Sequence, residues 1–498
     1  MRALPRRPLL LALSALAVAV ALIPVGYLVL RTAQAGWAEV AATLFTARVA
    51  RLAALTLALA AVTTLACLVL GAGAAFVVVR TDLPARRALA VLAALPLAVP
   101  TYIAAFAWRS AFTGLEGFWA AALVLTLCSY PYVLLPVAAA FAGADPAQEE
   151  VSRSLGRGPW RTFTGVTLRQ VRPALAGGGL LVFLYVLSDF GAVSILRADT
   201  FTRAVFVSFD LGFDRTGALV LSTTLVLVTV VVLTAETFGR RRGARHTAAS
   251  GRPPLRLHVP PVPVIAAFGA VAALALGVPA VSLARRMAEG VSRPGPEILD
   301  AVWGSLSFSA LGAGLTMLLA LPLGLLTAKA PGPAATLLDR LGYLGHALPG
   351  VVIGLSLVSF GVGVAYPLYQ TTWLLVVAYT TLFLPLGSAA VAGAAALAPP
   401  VLEEVARSLG KGPLAVLRTV TLPLTLPGIG AGAALVFLTC MKELPATLLL
   451  RPTGAETLTT RLWTHTTVGA YAAAAPYAAL LVVLSSLPTW LLTRRSLP

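Results

Sequence analysis

Asp189 and Glu443 are the acidic residues best placed to do chemistry, since each lies sixteen residues beyond a proline, Pro173 or Pro427, in a long apolar stretch. At 1.5 Å per helical residue that is roughly 24 Å, past the middle of any bilayer the stretch crosses. Lys442 adjoins Glu443. Ionisable groups at such depth cost at least a few kcal/mol unless paired or wet, which points to an aqueous path between helices. There, paired carboxylates would offer oxygen ligands or a negative potential to a hard cation. The competing reading is plainer and favoured, because charges at helix ends are common: Glu443 pairs with Lys442 or an arginine, and Asp189 caps or packs the neighbouring loop.

Other reactive residue types are scattered. His246, His258, His346 and His465 have no metal-ligand spacing. Cys67, Cys128 and Cys440 lie far apart in apolar stretches, so neither a metal centre nor a disulfide is expected. No GxxxxGK[ST] phosphate loop occurs; Gly410-Lys411-Gly412 lacks the following hydroxyl residue. With no Ser/His or His/Asp cluster at membrane depth, the chain is expected to be no enzyme and to bind no cofactor of its own.

The elements that must position these residues follow from composition. Of 498 residues 58% are hydrophobic and 11% charged, with a mean hydropathy of +0.89, whereas soluble domains carry about 25% charge. Lipid is the solvent such a chain fits, and inside lipid the backbone must satisfy itself in helices or a closed barrel. Apolar runs near 9–30, 51–79, 88–113, 118–142, 174–196, 217–238, 262–284, 303–328, 341–364, 372–396, 428–450 and 472–493 predict an all-α polytopic protein. About twelve helices fall into two six-helix halves, 1–240 and 262–498, joined by a Pro/Arg-rich linker at 241–261. The first run follows a basic start but reaches spanning length, so it reads as an uncleaved helix.

The net charge of +18 would suggest nucleic acid on a soluble fold. Here the arginines sit in the short gaps between apolar runs, as positive-inside charges do, and no nucleic-acid partner is expected. Arg2, Arg6 and Arg7, the Arg80/Arg86/Arg87 loop, the 153–172 loop, the linker and Arg494/Arg495 all become cytoplasmic if both termini are cytoplasmic.

One pattern is repeated. EEVSRSLGRGP at 149–159 returns as EEVARSLGKGP at 403–413, an offset of 254 residues that also relates Thr167 to Thr421, Pro173 to Pro427 and Phe183 to Phe437. Both copies fall in cytoplasmic loops between the fourth and fifth runs of their halves, so the duplication is parallel. A short helix from Glu150 to Leu155, a left-handed turn at Gly156 and a new helix after Gly158-Pro159 would form a compact knob outside the bilayer. Its counterpart runs through Gly410, Gly412 and Pro413.

The spacing Glu150-Val151-Ser152, Gly156, Val166-Thr167-Leu168, and again Glu404-Val405-Ala406, Gly410, Val420-Thr421-Leu422, resembles the EAA loop of binding-protein-dependent ABC permeases of the type I importer fold. Val151 and Val405 depart from the small residue usual there, and Arg169 from the usual proline. The resemblance implies ABC type-1 modules near 50–238 and 302–494 in a multi-pass protein of the bacterial cytoplasmic (inner) membrane. It further implies coupling to two copies of a separate ATPase, which would use the ATP, through Glu149, Glu150, Ser154, Gly156, Gly158, Glu403, Glu404, Ser408, Gly410 and Gly412. An extracytoplasmic binding protein would deliver the solute. SDFGAVSILRADTFTRAVF at 188–206 and MKELPATLLLRPTGAETLTTRLW at 441–463 resemble ferric-iron permeases with two fused halves. Thiamine, polyamine and phosphonate permeases share the scaffold, and an ion-coupled secondary transporter is the alternative outside the family. On this resemblance Asp189, Lys442 and Glu443 would line the path taken by ferric ion.

Overall fold

The computed structural model describes residues 7–210, 212, 214–240, 259–289, 295–346 and 348–496. Arg2, Arg6, Arg241, Arg242, Arg245, His246, His258 and nearly all of the expected linker lie outside the described residues. What is described is helical, without a β-sheet. Among the described residues eight helices are long and apolar enough to cross a membrane, two bent pairs could each make one more crossing, and Thr216–Val232 and Tyr471–Ser485 are shorter apolar helices. In chain order these occupy the twelve places read from the apolar runs.

Two of the expected runs are not straight helices. The third breaks between Arg86–Ala98 and Thr101–Ala111 with a bend of 90°, and the ninth between Pro333–Gly345 and Gly350–Gly363 with a bend of 93°. Pro100 and Pro349 stand at the breaks in the same extended conformation, with φ −57° and −59°. Proline has no N–H to donate and disfavours helix in the residue before it, so hydropathy alone reads through a corner that the backbone has to turn.

The fifth span of each half also differs from expectation. These helices run Pro159–Ser188 and Arg418–Lys442 rather than near 174–196 and 428–450. Each starts in the loop because one widened π turn, Phe163–Thr167 or Leu417–Thr421, joins the short helix after the knob to the span. Asp189 and Glu443 stand at the C-terminal ends of these helices, not within them.

The halves pack alike. Ala47–Arg80 lies against Pro131–Ala142 and Leu168–Ser188, and Glu297–Lys329 against Thr372–Leu397 and Leu422–Lys442. Arg80/Lys329, Pro100/Pro349, Tyr130/Tyr379 and Pro136/Pro385 are all 249 residues apart, so the register moves to 254 only after Pro136. The extra five residues lengthen the end of Thr372–Leu397 relative to its mate. The leading helices cross over: Pro8–Ala35 packs on Glu297–Lys329, Pro333–His346 and Gly350–Gly363 of the second half, while Val278–Glu289 packs on Thr101–Ala111 of the first. One of the apolar clusters therefore draws on both halves, with Val124, Val182, Leu438 and Ala478 among its fully or nearly buried members.

Candidate functional site

The two knobs are built alike. Pro146–Ser154 is capped at its start by Asp145, whose side chain accepts from the Ala147 N–H. It ends with the Gly156 N–H donating to Arg153 O at 3.0 Å and the Arg157 N–H donating to Ser152 O at 3.2 Å. Pro400–Ser408 ends identically, Gly410 N–H to Arg407 O at 3.0 Å and Lys411 N–H to Ala406 O at 3.1 Å. This paired closure needs a left-handed residue, and Gly156 and Gly410 take φ +77° and +79°. Gly158 and Gly412 are not left-handed; they precede the prolines that start the next helices. Ser154 and Ser408 donate back to Val151 O and Val405 O.

These knobs present apolar edges to solvent. Val151 and Leu155, one helical turn apart, are 58% and 73% exposed, and their repeat mates Val405 and Leu409 are 49% and 75% exposed. Glu150 and Glu404 flank them and are exposed. Matched apolar pairs standing beyond the membrane spans mark each knob as a candidate interaction surface.

Glu149 and Glu403 do not face outward. Glu149 is 1% exposed, receives Arg80 Nη2 at 2.5 Å and accepts from Thr167 Oγ1 at 2.8 Å. Glu403 is paired with Lys329 and Arg407, each at 3.0 Å, and accepts from Thr421 Oγ1 at 2.9 Å. Each therefore ties its knob to the last residue of the second span in its half and to the π turn that starts the fifth. The coupling residues read from the motif left out Arg80, Lys329, Thr167 and Thr421, although the basic end of each span is visible in the sequence and Thr167 and Thr421 lie in the motif itself.

Burial pushes the Glu403 carboxyl up, but hydrogen bonds from Lys329 and Thr421 and the charges of Lys329 and Arg407 outweigh it, leaving the pKa below the usual glutamate value. Because the folded value is depressed, the anchor's contribution is present above the unfolded pKa of about 4.3 and is lost as pH falls through the folded one. Amides in 400–412 should accordingly be protected at neutral pH and lose protection, relative to the intrinsic exchange rate at each pH, on acidification below about pH 4.3. Protection that persists unchanged well below that value would rule the anchor out.

At membrane depth the structure favours capping. Asp189 Oδ1 accepts from the N–H groups of Ala192 and Val193 at 3.0 and 3.2 Å, and Oδ2 accepts from Thr101 Oγ1 at 2.7 Å. Glu443 accepts from the N–H groups of Ala446 and Thr447, both at 3.0 Å, and from Thr447 Oγ1 at 3.0 Å. Each carboxylate thus closes the helix start that follows it, in the same i+3 and i+4 pattern, where N–H groups and the helix dipole favour negative charge. The repeat adjusts one difference with another: where the first half has Thr101 beside the shorter Asp189, the second has Gly350, whose missing Cβ would lie 2.5 Å from Glu443 Oε1.

Lys442 does not pair with Glu443. Its Nζ reaches across to the other half and donates to Ala98 O at 3.2 Å, at the 90° corner. In the first half's bent helix Tyr102 is buried with its hydroxyl unpartnered among the described residues. No group of three or more His, Cys, Asp or Glu suited to a metal occurs among the described residues.

Comparison with known proteins matches the sequence profile of the family described as binding-protein-dependent transport system inner membrane component twice, at residues 67–242 and 320–496. The chain is 36% identical over 481 residues, 95% of either chain, to the Fe(3+)-transport system permease protein FbpB 2 of Haemophilus influenzae. Partial matches include the sulfate transport system permease protein CysT of Escherichia coli, 29% identical over 44% of this chain and 88% of that one. The molybdenum transport system permease protein ModB of Escherichia coli is 34% identical over 30% of this chain and 72% of its own.

Proposed function

Given that the chain belongs to the family of binding-protein-dependent transport system inner membrane components and carries its module twice, we propose that it is a two-half permease of an ABC importer for ferric iron. It is a multi-pass inner-membrane protein. The observation that carries the reading is the pair of matching knobs, each with a short helix, a left-handed glycine, a π turn and an exposed apolar edge at equivalent positions. We assign to each knob one copy of a separate ATPase, which seats the exposed edge and hydrolyses ATP. On the orientation read from the arginines both termini and both knobs face the cytoplasm, and an extracytoplasmic binding protein delivers the solute opposite.

Force applied to a knob has a rigid route inward. The buried Glu149 and Arg80 join it to Ala47–Arg80, and the π turn makes it continuous with Pro159–Ser188. The second knob has the equivalent route through Glu403 and Lys329. ATP-driven closure of the two ATPases would rock the halves about the seam where Lys442 meets Ala98, opening the path to one side and then the other.

Ferric iron is preferred among substrates because the iron permease relative is matched end to end, while the sulfate and molybdenum relatives match one half or less. The test is uptake of ⁵⁵Fe(III) by liposomes holding the purified chain, with and without its ATPase, its binding protein and internal ATP. Uptake should need all of them. Full-rate uptake by the chain alone would defeat the proposal.

We assign Lys442 to the path and give Asp189 and Glu443 the task of shaping its wall by holding two helix starts. The double variant Asp189→Asn with Glu443→Gln keeps an acceptor oxygen for both N–H groups at the first cap and for one of the two at the second, and because a lost hydrogen bond costs only about 1 kcal/mol it should retain at least about half of the uptake. Glu443→Ala leaves the Ala446 and Thr447 N–H groups unpaired and should cost about 2 kcal/mol of stability. Abolished uptake in a stable amide double variant would instead make the carboxylates themselves the substrate ligands.

A further inference from the structure

A cavity of about 400 Å³ opens beside the C-terminal end of the first span, where that helix crosses onto the second half. Its walls come from the end of Pro8–Ala35, the start of Arg215–Arg240 and the end of Gly350–Gly363, with Phe209 of Phe201–Asp210 and Glu39 completing them. The size is that of a small-ligand site.

Arg31 points into it in a fixed pose. Its Nε donates to Tyr27 Oη at 2.7 Å, Nη1 donates to Gln34 Oε1 at 3.2 Å, and the Tyr27 hydroxyl donates to Ser359 O at 2.9 Å. Gly363 provides the seat, since a Cβ there would lie 2.7 Å from both Arg31 Nη2 and Tyr27 Oη. Both side-chain partners of the guanidinium are neutral, so its charge is oriented but not neutralised by them.

Glu39 lines the same cavity from the short helix Trp37–Leu44. Trp37 and Phe45, at the two ends of that helix, are 72% and 76% exposed. Large aromatic side chains standing free beside the end of a span mark the headgroup level of a bilayer. What fills a polar cavity at that level is the polar end of a lipid.

We propose that this cavity binds the phosphoethanolamine headgroup of a phospholipid, with the phosphate on Arg31 and the ammonium toward Glu39. The planar guanidinium fork suits two phosphate oxygens. One cation and one anion in the same cavity match a zwitterion, whereas a purely anionic headgroup would meet Glu39 unfavourably. The bound lipid fills the seam between the crossed-over first helix and the two helices it touches, tying the leading helix to the second half.

The experiment places the full chain in nanodiscs of equimolar phosphatidylethanolamine and phosphatidylglycerol, releases it into mild detergent, and counts retained lipid by native mass spectrometry. The unsubstituted chain should retain phosphatidylethanolamine in preference, Arg31→Gln should lower that retention about tenfold, and Glu39→Gln should erase the preference while leaving lipid bound. Gly363→Ser, which keeps the Arg31 charge but fills the seat and displaces the guanidinium from its pose, should weaken retention as well and serves if Arg31→Gln does not fold. Equal retention by Arg31→Gln, equal retention of the two lipids by the unsubstituted chain, or displacement of the lipid by excess inorganic phosphate would each overturn the proposal.

Discussion

Replacing Gly156 and Gly410 together with proline will strip the permease of its co-purified ATPase and lower ATP-driven uptake on the order of a hundredfold. Both glycines sit at left-handed φ, +77° and +79°, which proline, fixed near −65°, cannot adopt. Each also donates the N–H that closes its helix, to Arg153 O or Arg407 O at 3.0 Å, and proline has none to give. Once the turn is lost, Val151 and Leu155, or Val405 and Leu409, no longer form an edge in a set direction. Alanine keeps the N–H and meets only the cost of a left-handed side-chain residue, roughly 1–2 kcal/mol per position, so the alanine pair should show a weaker defect of the same kind. A proline pair that still brings down stoichiometric ATPase would show that the knobs are not where the motor docks.

Removing the buried acid of the first anchor, Glu149→Ala, will destabilise the protein by about 3–5 kcal/mol. The loss leaves Arg80, 3% exposed, without its carboxylate, and its Nε and Nη1 already lack hydrogen-bond partners among the described residues. An uncompensated buried charge is what makes breaking such a pair costlier than exchanging it. Arg80→Met combined with Glu149→Met should therefore recover most of the stability, read as the thermal midpoint in detergent, yet transport should stay impaired because the knob has lost its tie to Ala47–Arg80. Glu403→Ala should be milder, since Glu403 and Lys329 are 14% and 20% exposed and water can replace the lost partner. Equal losses at the two sites would mean that burial does not set the cost, and a fully active Met/Met double variant would remove the anchor from the transmission route.

Composition and periodicity were enough to give an all-helical chain in lipid, because lipid imposes one demand on every span: satisfy the backbone internally and face outward with apolar atoms. The 254-residue register was enough to locate both knobs and their left-handed glycines, because a turn of that kind is specified by a few local residues and duplication wrote it twice. Local signals also marked Asp189 and Glu443 as unusual, without distinguishing a ligand from a cap. That choice turns on what each carboxylate meets: the N–H groups of helix starts three and four residues further on, and a corner some ninety residues away that gives Asp189 the Thr101 hydroxyl and Glu443 the open space at Gly350. In the same way Glu149, read as part of a docking motif, is turned inward by Arg80 from a different helix. Hydropathy could not foresee the breaks at Pro100 and Pro349, since apolar side chains continue across both while the backbone turns through a right angle. What the sequence determined were features that one segment specifies by itself; what the tertiary structure decided was the partner of each charge, because in a low-dielectric interior a charge takes its role from whichever distant segment is packed against it.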